Sequence, residues 1–139
     1  PAVAAGALES IRYLKTSDAE RVMQRERVAQ LRDELDQVGI PHMANDSHIV
    51  PVKVGNPVLC KVLSDRLMDQ YGAYVQPINY PTVPRGTERL RFTPNPSHTE
   101  NDVKQLVHAL SEMWTHLGLK RAAVPGKAEE QYEETARVA

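Results

Sequence analysis

From Ala73 to Thr93 the chain offers two strand-like runs with only Asn79 to Thr87 between them. A parallel pair needs a crossover of roughly a dozen residues or more, so these two runs are expected to pair antiparallel. Pro81 and Pro84 stiffen the connection by fixing their own backbone angles. Any fold for this chain has to be built around that hairpin.

The flanking segments carry helical spacing. Residues 2–15 are rich in alanine, with Leu8, Ile11 and Leu14 at helical steps, and read as a helix end. Ser17 and Glu20 have the spacing of a capping box, predicting a new helix whose apolar stripe is Val28, Leu31, Leu35 and Val38, closed by Gly39. A strand is expected from His48 to Val54, and Pro51 within it favours an edge position or a bulge. Asn56 and Pro57 predict the cap and first turn of a third helix carrying Val58, Leu59, Val62, Leu63, Leu67 and Met68, ending at Tyr71-Gly72. Strands over 73–78 and 88–93 follow. Thr99 with Asp102 then opens a last helix with Val103, Leu106, Val107, Leu110, Met113, Trp114 and Leu117 on one face. Glu129 to Glu134 suggests one short charged helix in a mobile tail. The order predicts an α+β layer of about three strands covered by helices on one side.

Composition narrows the function classes. A net charge of −1 supplies no global field for nucleic acid or a membrane surface. No apolar run approaches the ~20 residues of a membrane span. Hydrophobic residues at 41% and charged residues at 25% fit a globular protein, and the single Cys60 cannot form an internal disulfide, which suits a reducing, cytoplasmic setting. Cys60 lies among Val58, Leu59, Val62 and Leu63 and reads as a packed thiol. His42, His48, His98, His108 and His116 show no metal-site spacing, so no metal is expected.

The chemistry concentrates in Ile78-Asn79-Tyr80-Pro81-Thr82-Val83-Pro84-Arg85-Gly86-Thr87-Glu88-Arg89-Leu90-Arg91-Phe92-Thr93-Pro94. Strand alternation sets Arg91 on the face opposite Leu90 and Phe92. A guanidinium there can hold a carboxylate or phosphate through two parallel hydrogen bonds, and its charge persists at any working pH. The plainer alternative is a hairpin whose arginines are solvated or paired with Glu88.

This segment resembles the substrate-binding segment near the C-terminus of the α-oxoamine synthases, pyridoxal-phosphate enzymes that join an amino acid to an acyl-CoA. The likeness runs from Ser10 to Leu119. Ile78 to Gly86 followed by Leu90-Arg91 is most similar to the members that condense glycine with succinyl-CoA to a haem precursor. Others usually carry a Ser-Ala-Ala-His-like run where this chain has Asn95-Pro96-Ser97-His98. The resemblance implies the small C-terminal domain of a type I pyridoxal-phosphate transferase over 16–119, a linking helix end over 1–15 and a mobile tail over 120–139. It implies that Arg91 pairs with the amino-acid carboxylate, that Thr82 helps hold the succinyl carboxylate, and that Asn79, Tyr80, Arg85 and Gly86 belong to a loop closing over substrates. It further implies pyridoxal 5'-phosphate as cofactor, glycine and succinyl-CoA as substrates, and a homodimer with sites at the subunit interface. The Schiff-base lysine of such enzymes would lie in a large N-terminal part outside this sequence. None of the six lysines here has a matching context, so no catalytic residue is expected in this segment and the segment alone is expected to be inactive. A related synthase using another amino acid, or a non-catalytic α+β carboxylate-binding module, are the competing readings.

Overall fold

The computed structural model describes residues 1–123. Its elements are α1 (Ala2–Thr16), α2 (Ala19–Gln37), β1 (Val50–Lys53), α3 (Pro57–Tyr71), β2 (Gln76–Ile78), β3 (Arg89–Phe92) and α4 (Glu100–His116). The sheet has the order β1-β3-β2, and β3 is antiparallel to both neighbours. The hairpin expected from the short connection is therefore present. Its second strand lies in the middle of the sheet, with β1 on its other side.

Val50, Val52, Leu90 and Phe92 alternate inward and are buried. They meet Leu31 and Leu35 of α2, Cys60, Leu63 and Leu67 of α3, and Val107, Leu110 and Trp114 of α4 in one core. α2 and α3 pack on the sheet, and α4 packs on those two helices. The arrangement is the one-sided α+β layer expected. β1 is an edge strand, as Pro51 suggested, and Met43 N–H covers part of that edge by donating to Pro51 O at 2.8 Å.

Two strands are shorter than their apolar runs. Ala73 N–H closes the end of α3 on Leu67 O, and Val75 O accepts from Ser64 Oγ at 2.6 Å, so the ladder of β2 begins only at Gln76. Upstream of β1, Ile49 is held by the Asn45–Ser47 turn through Asn45 Nδ2 and Ser47 Oγ. The capping box expected at Ser17 is also replaced. Ser17 is the cap that ends α1, Asp18 precedes α2 without a side-chain cap bond, and Glu20 instead accepts from Tyr13 OH at 2.5 Å and from Ser17 Oγ. Asn56 does cap α3, accepting from the amides of Val58 and Leu59. Thr99 and Asp102 form a reciprocal box on α4, and the Thr99 backbone bond draws the Asp102 carboxyl below its ordinary range.

α1 buries no residue, so Leu8, Ile11 and Leu14 stand exposed despite their helical spacing. Val58 and Met68 likewise face outward from α3. Beyond α4, Lys120 to Ala122 are fastened to the body. Trp114 Nε1 donates to Lys120 O at 3.1 Å, Arg121 donates to Ser111 O at 2.9 Å, and Ala122 N–H donates to Gly39 O at 2.8 Å. These contacts run across residue 120, the expected start of the tail. The helix expected near Glu129 lies outside the described residues.

Candidate functional site

The pairing register gives the sheet one covered face and one open face. Directly opposed residues share a face, so Pro51, Arg91 and Gln76 form one row and Lys53, Arg89 and Ile78 the next. Lys53, Arg89 and Arg91 thus gather on the open face with no acidic residue in either row. The sequence indicated Arg91. Lys53 escaped notice because its row depends on the β1–β3 register.

The two arginines of β3 have different local roles. Arg89 is tied down, its Nε donating to Thr87 O at 3.0 Å and its Nη1 lying 3.0 Å from Met43 Sδ. Arg91 is exposed, and among the described residues its guanidinium has no hydrogen-bond or ion-pair partner. Glu88, the expected competitor for these arginines, pairs with neither. Its side chain is 1% exposed, and Oε2 accepts from Gly86 N–H at 2.9 Å.

The loop between β2 and β3 is fixed at its base and open at its tip. Asn79 Nδ2 donates to Pro57 O at 3.3 Å, and Thr82 N–H donates to Asn79 O at 3.0 Å. The Arg85 guanidinium carbon lies 4.5 Å from the centre of the Tyr80 ring, a cation–π contact that keeps the tip compact. Tyr80, Thr82, Arg85 and Gly86 are all exposed. Gly86 has φ +81, which glycine adopts without strain. The Tyr80–Pro81 peptide is cis.

Thr82 and Arg91 occupy separate places. Arg91 stands within the open sheet face opposite Gln76, whereas Thr82 lies on the loop beyond Ile78, the last residue of β2. His98 is farther still, at the opposite end of β3 from the loop, where its ring is bonded to Asn95 in the approach to α4. It borders a cleft of about 410 Å³ with Tyr71, Tyr74, Phe92 and Leu106, which contains none of the expected site residues.

Cys60 is fully buried, and burial pushes its thiol up to about 11, so its setting is that of a packed residue. Among the described residues no group of three His, Cys, Asp or Glu side chains could hold a metal ion, and no helix is long and apolar enough to cross a membrane.

The model of the aminotransferase class I and II family matches residues 1–110. The 5-aminolevulinate synthase of Rhizobium meliloti (strain 1021) is 60% identical over 122 residues, 88% of this chain and 30% of the relative. That of Paracoccus denitrificans (strain Pd 1222) is 52% identical over 124 residues, again 88% of this chain and 30% of the relative. The chain thus spans about three tenths of the length of these relatives. Among solved structures, a lysine-to-alanine variant of serine palmitoyltransferase from S. paucimobilis, with a bound pyridoxal-phosphate–myriocin aldimine, superposes with a TM-score of 0.72 at 25% identity, over 79% of this chain and 28% of that one. The open cationic face and the proline-stiffened loop are therefore features of a chain that belongs to the aminotransferase class I and II family.

Proposed function

We propose that this chain is the substrate-recognising C-terminal part of a 5-aminolevulinate synthase. That enzyme condenses glycine with succinyl-CoA, using pyridoxal 5'-phosphate, and releases 5-aminolevulinate, coenzyme A and carbon dioxide for haem synthesis. The observation that carries the reading is Arg91, a guanidinium without a partner among the described residues on an open cationic face of the central strand, in a chain 60% identical over 122 residues to such a synthase. A guanidinium left without an internal partner is ready to take a carboxylate in a bidentate pair. Holding glycine by its carboxylate restricts the orientation of the bonds at its α-carbon.

Thr82, exposed on the loop, serves as a hydroxyl donor to the succinyl carboxylate, and its distance along the fold from Arg91 suits a homodimer in which the loop reaches the partner's site. Asn79, Tyr80, Arg85 and Gly86 shape that loop. Cytoplasmic action completes the proposal.

All five lysines of the described residues (Lys15, Lys53, Lys61, Lys104 and Lys120) are exposed, and Lys61 is engaged by Asp65. The proposal assigns the cofactor mainly to residues outside this sequence and expects the segment alone to be inactive.

The test is an assay of the full-length protein with pyridoxal phosphate, glycine and succinyl-CoA, with alanine and serine as rival amino acids. Production of 5-aminolevulinate in preference to the other ketones is expected. A preference for another amino acid would make it a different α-oxoamine synthase. Carboxylate binding without turnover would leave only a binding module.

A further inference from the structure

The loop leading into β3 rests on the turn that starts α3, and the contact is built from polar groups gathered around the buried Glu88. Val54 N–H and Gly55 N–H both donate to Glu88 O, each at 2.9 Å. Asn79 reaches the same turn through Pro57 O. Gly55 has φ +73, and a Cβ there would stand 3.3 Å from Gly86 O, closer than most such contacts. Only glycine allows the turn and the loop to approach this far without strain.

Inside that contact lies the Glu88 carboxylate. It has no cationic partner among the described residues, and Oε2 is spent on the Gly86 amide at 2.9 Å. Burying a carboxylate is costly unless strong hydrogen bonds compensate, and a charged acceptor holds an amide more firmly than a neutral one. The loop is therefore fastened on both sides of an exposed stretch that includes Tyr80, Thr82 and Arg85.

We propose that Glu88 is a positioning residue for the substrate loop. Its carboxylate holds the Gly86 amide over the Gly55 turn, and so sets where residues 80–85 stand relative to the open face bearing Arg91. The proposal rests on the reading of 80–86 as the substrate loop, and the experiment separates the two. In the full-length enzyme, Glu88→Leu, Glu88→Gln and Gly55→Ala are compared by hydrogen exchange over residues 79–88 without substrates, and by kcat and KM for each substrate.

Glu88→Leu is expected to speed exchange in the loop and to raise KM for succinyl-CoA roughly ten- to a hundredfold, the loss of one charge-assisted hydrogen bond, with a smaller change in kcat. Glu88→Gln keeps a neutral acceptor oxygen for Gly86 N–H and should recover part of both. A purely structural glutamate would show no such rescue. Gly55→Ala disturbs the same contact while leaving the carboxylate in place, so it decides the matter should Glu88→Leu fail to fold. Unchanged loop exchange in Glu88→Leu, or in Gly55→Ala where the former does not fold, would overturn the proposal. So would a Glu88→Gln enzyme as impaired as Glu88→Leu. Faster exchange with unchanged KM values would uphold the fastening and remove the substrate-loop reading instead.

Discussion

β3 and the loop before it treat their polar side chains in opposite ways. On β3 the division is by face: Leu90 and Phe92 are buried, while Arg91 on the other side has no partner among the described residues. In the loop the division is by position along the chain. Asn79 and Glu88 are bonded at the base, while Thr82 and Arg85 are exposed between them. The groups assigned to the two substrate carboxylates, the Arg91 guanidinium and the Thr82 hydroxyl, have no hydrogen-bond partner among the described residues, whereas Glu88 Oε2 and Asn79 Nδ2 are bonded within the fold. Stability and recognition should therefore separate under mutation, even between adjacent residues.

Leu90→Ala should give the largest effect. Leu90 is fully buried at the centre of the sheet, and truncating such a side chain costs about 2–5 kcal/mol. Denaturant unfolding of the full-length protein should show the midpoint falling, with KM for glycine unchanged in the protein that remains folded. Arg91→Leu is the mirror experiment. An exposed substitution should alter stability by no more than about 0.5 kcal/mol. Loss of a bidentate charge-assisted contact should nevertheless cost roughly 2–4 kcal/mol in glycine use, about 30- to 1,000-fold in kcat/KM. An Arg91→Leu enzyme with ordinary glycine dependence but weakened folding would reverse the two roles and break the comparison.

Thr82→Val comes next, and tests the loop rather than the strand. Valine nearly matches the shape of threonine and cannot donate a hydrogen bond. Losing a donor to a charged carboxylate should cost about 1.5–3 kcal/mol with succinyl-CoA. Butyryl-CoA lacks that carboxylate, so its kcat/KM should fall much less. Equal losses for the two thioesters would reduce Thr82 to a shape-setting residue.

The alternation around Arg91 and the short span from Asn79 to Thr87 made the hairpin and its outward arginine legible, because both depend on residues close in sequence. Long-range pairing was not legible in the same way. That β3 lies between β1 and β2, and that Lys53 joins Arg89 and Arg91 on one face, depends on a register that no local spacing states. The plainer alternative offered Glu88 as a partner for the arginines, and local spacing could not show its burial, which arises from the approach of Gly55 to Gly86. Leu8, Ile11 and Leu14 show the converse case: helical spacing identified α1, but periodicity alone cannot say whether a face is covered.

Cys60 gives the smallest functional effect and the clearest pH dependence. It is buried beneath the sheet, on the side away from Arg91, and Cys60→Ala should leave the substrate KM values unchanged. Burial raises the thiol from its ordinary 9.0 to about 11. The nearby Glu88 charge adds to that shift, and the backbone bond from Ile78 opposes it. Below pH 9 folded and unfolded chains both keep the proton, and this thiol does not tilt the balance. As pH rises from 9 towards about 11 the unfolded chain loses its proton first, so stability falls across that window and levels off above it. At pH 8.5 the folded thiolate fraction should be about 100-fold below that of the unfolded chain, following the shift of about two pH units. Iodoacetamide should therefore label Cys60 slowly in the folded protein and promptly in denaturant. Prompt labelling of the folded protein at pH 8.5 would show that the covered face is open to solvent there, and the separation of packing from recognition on β3 would have to be redrawn.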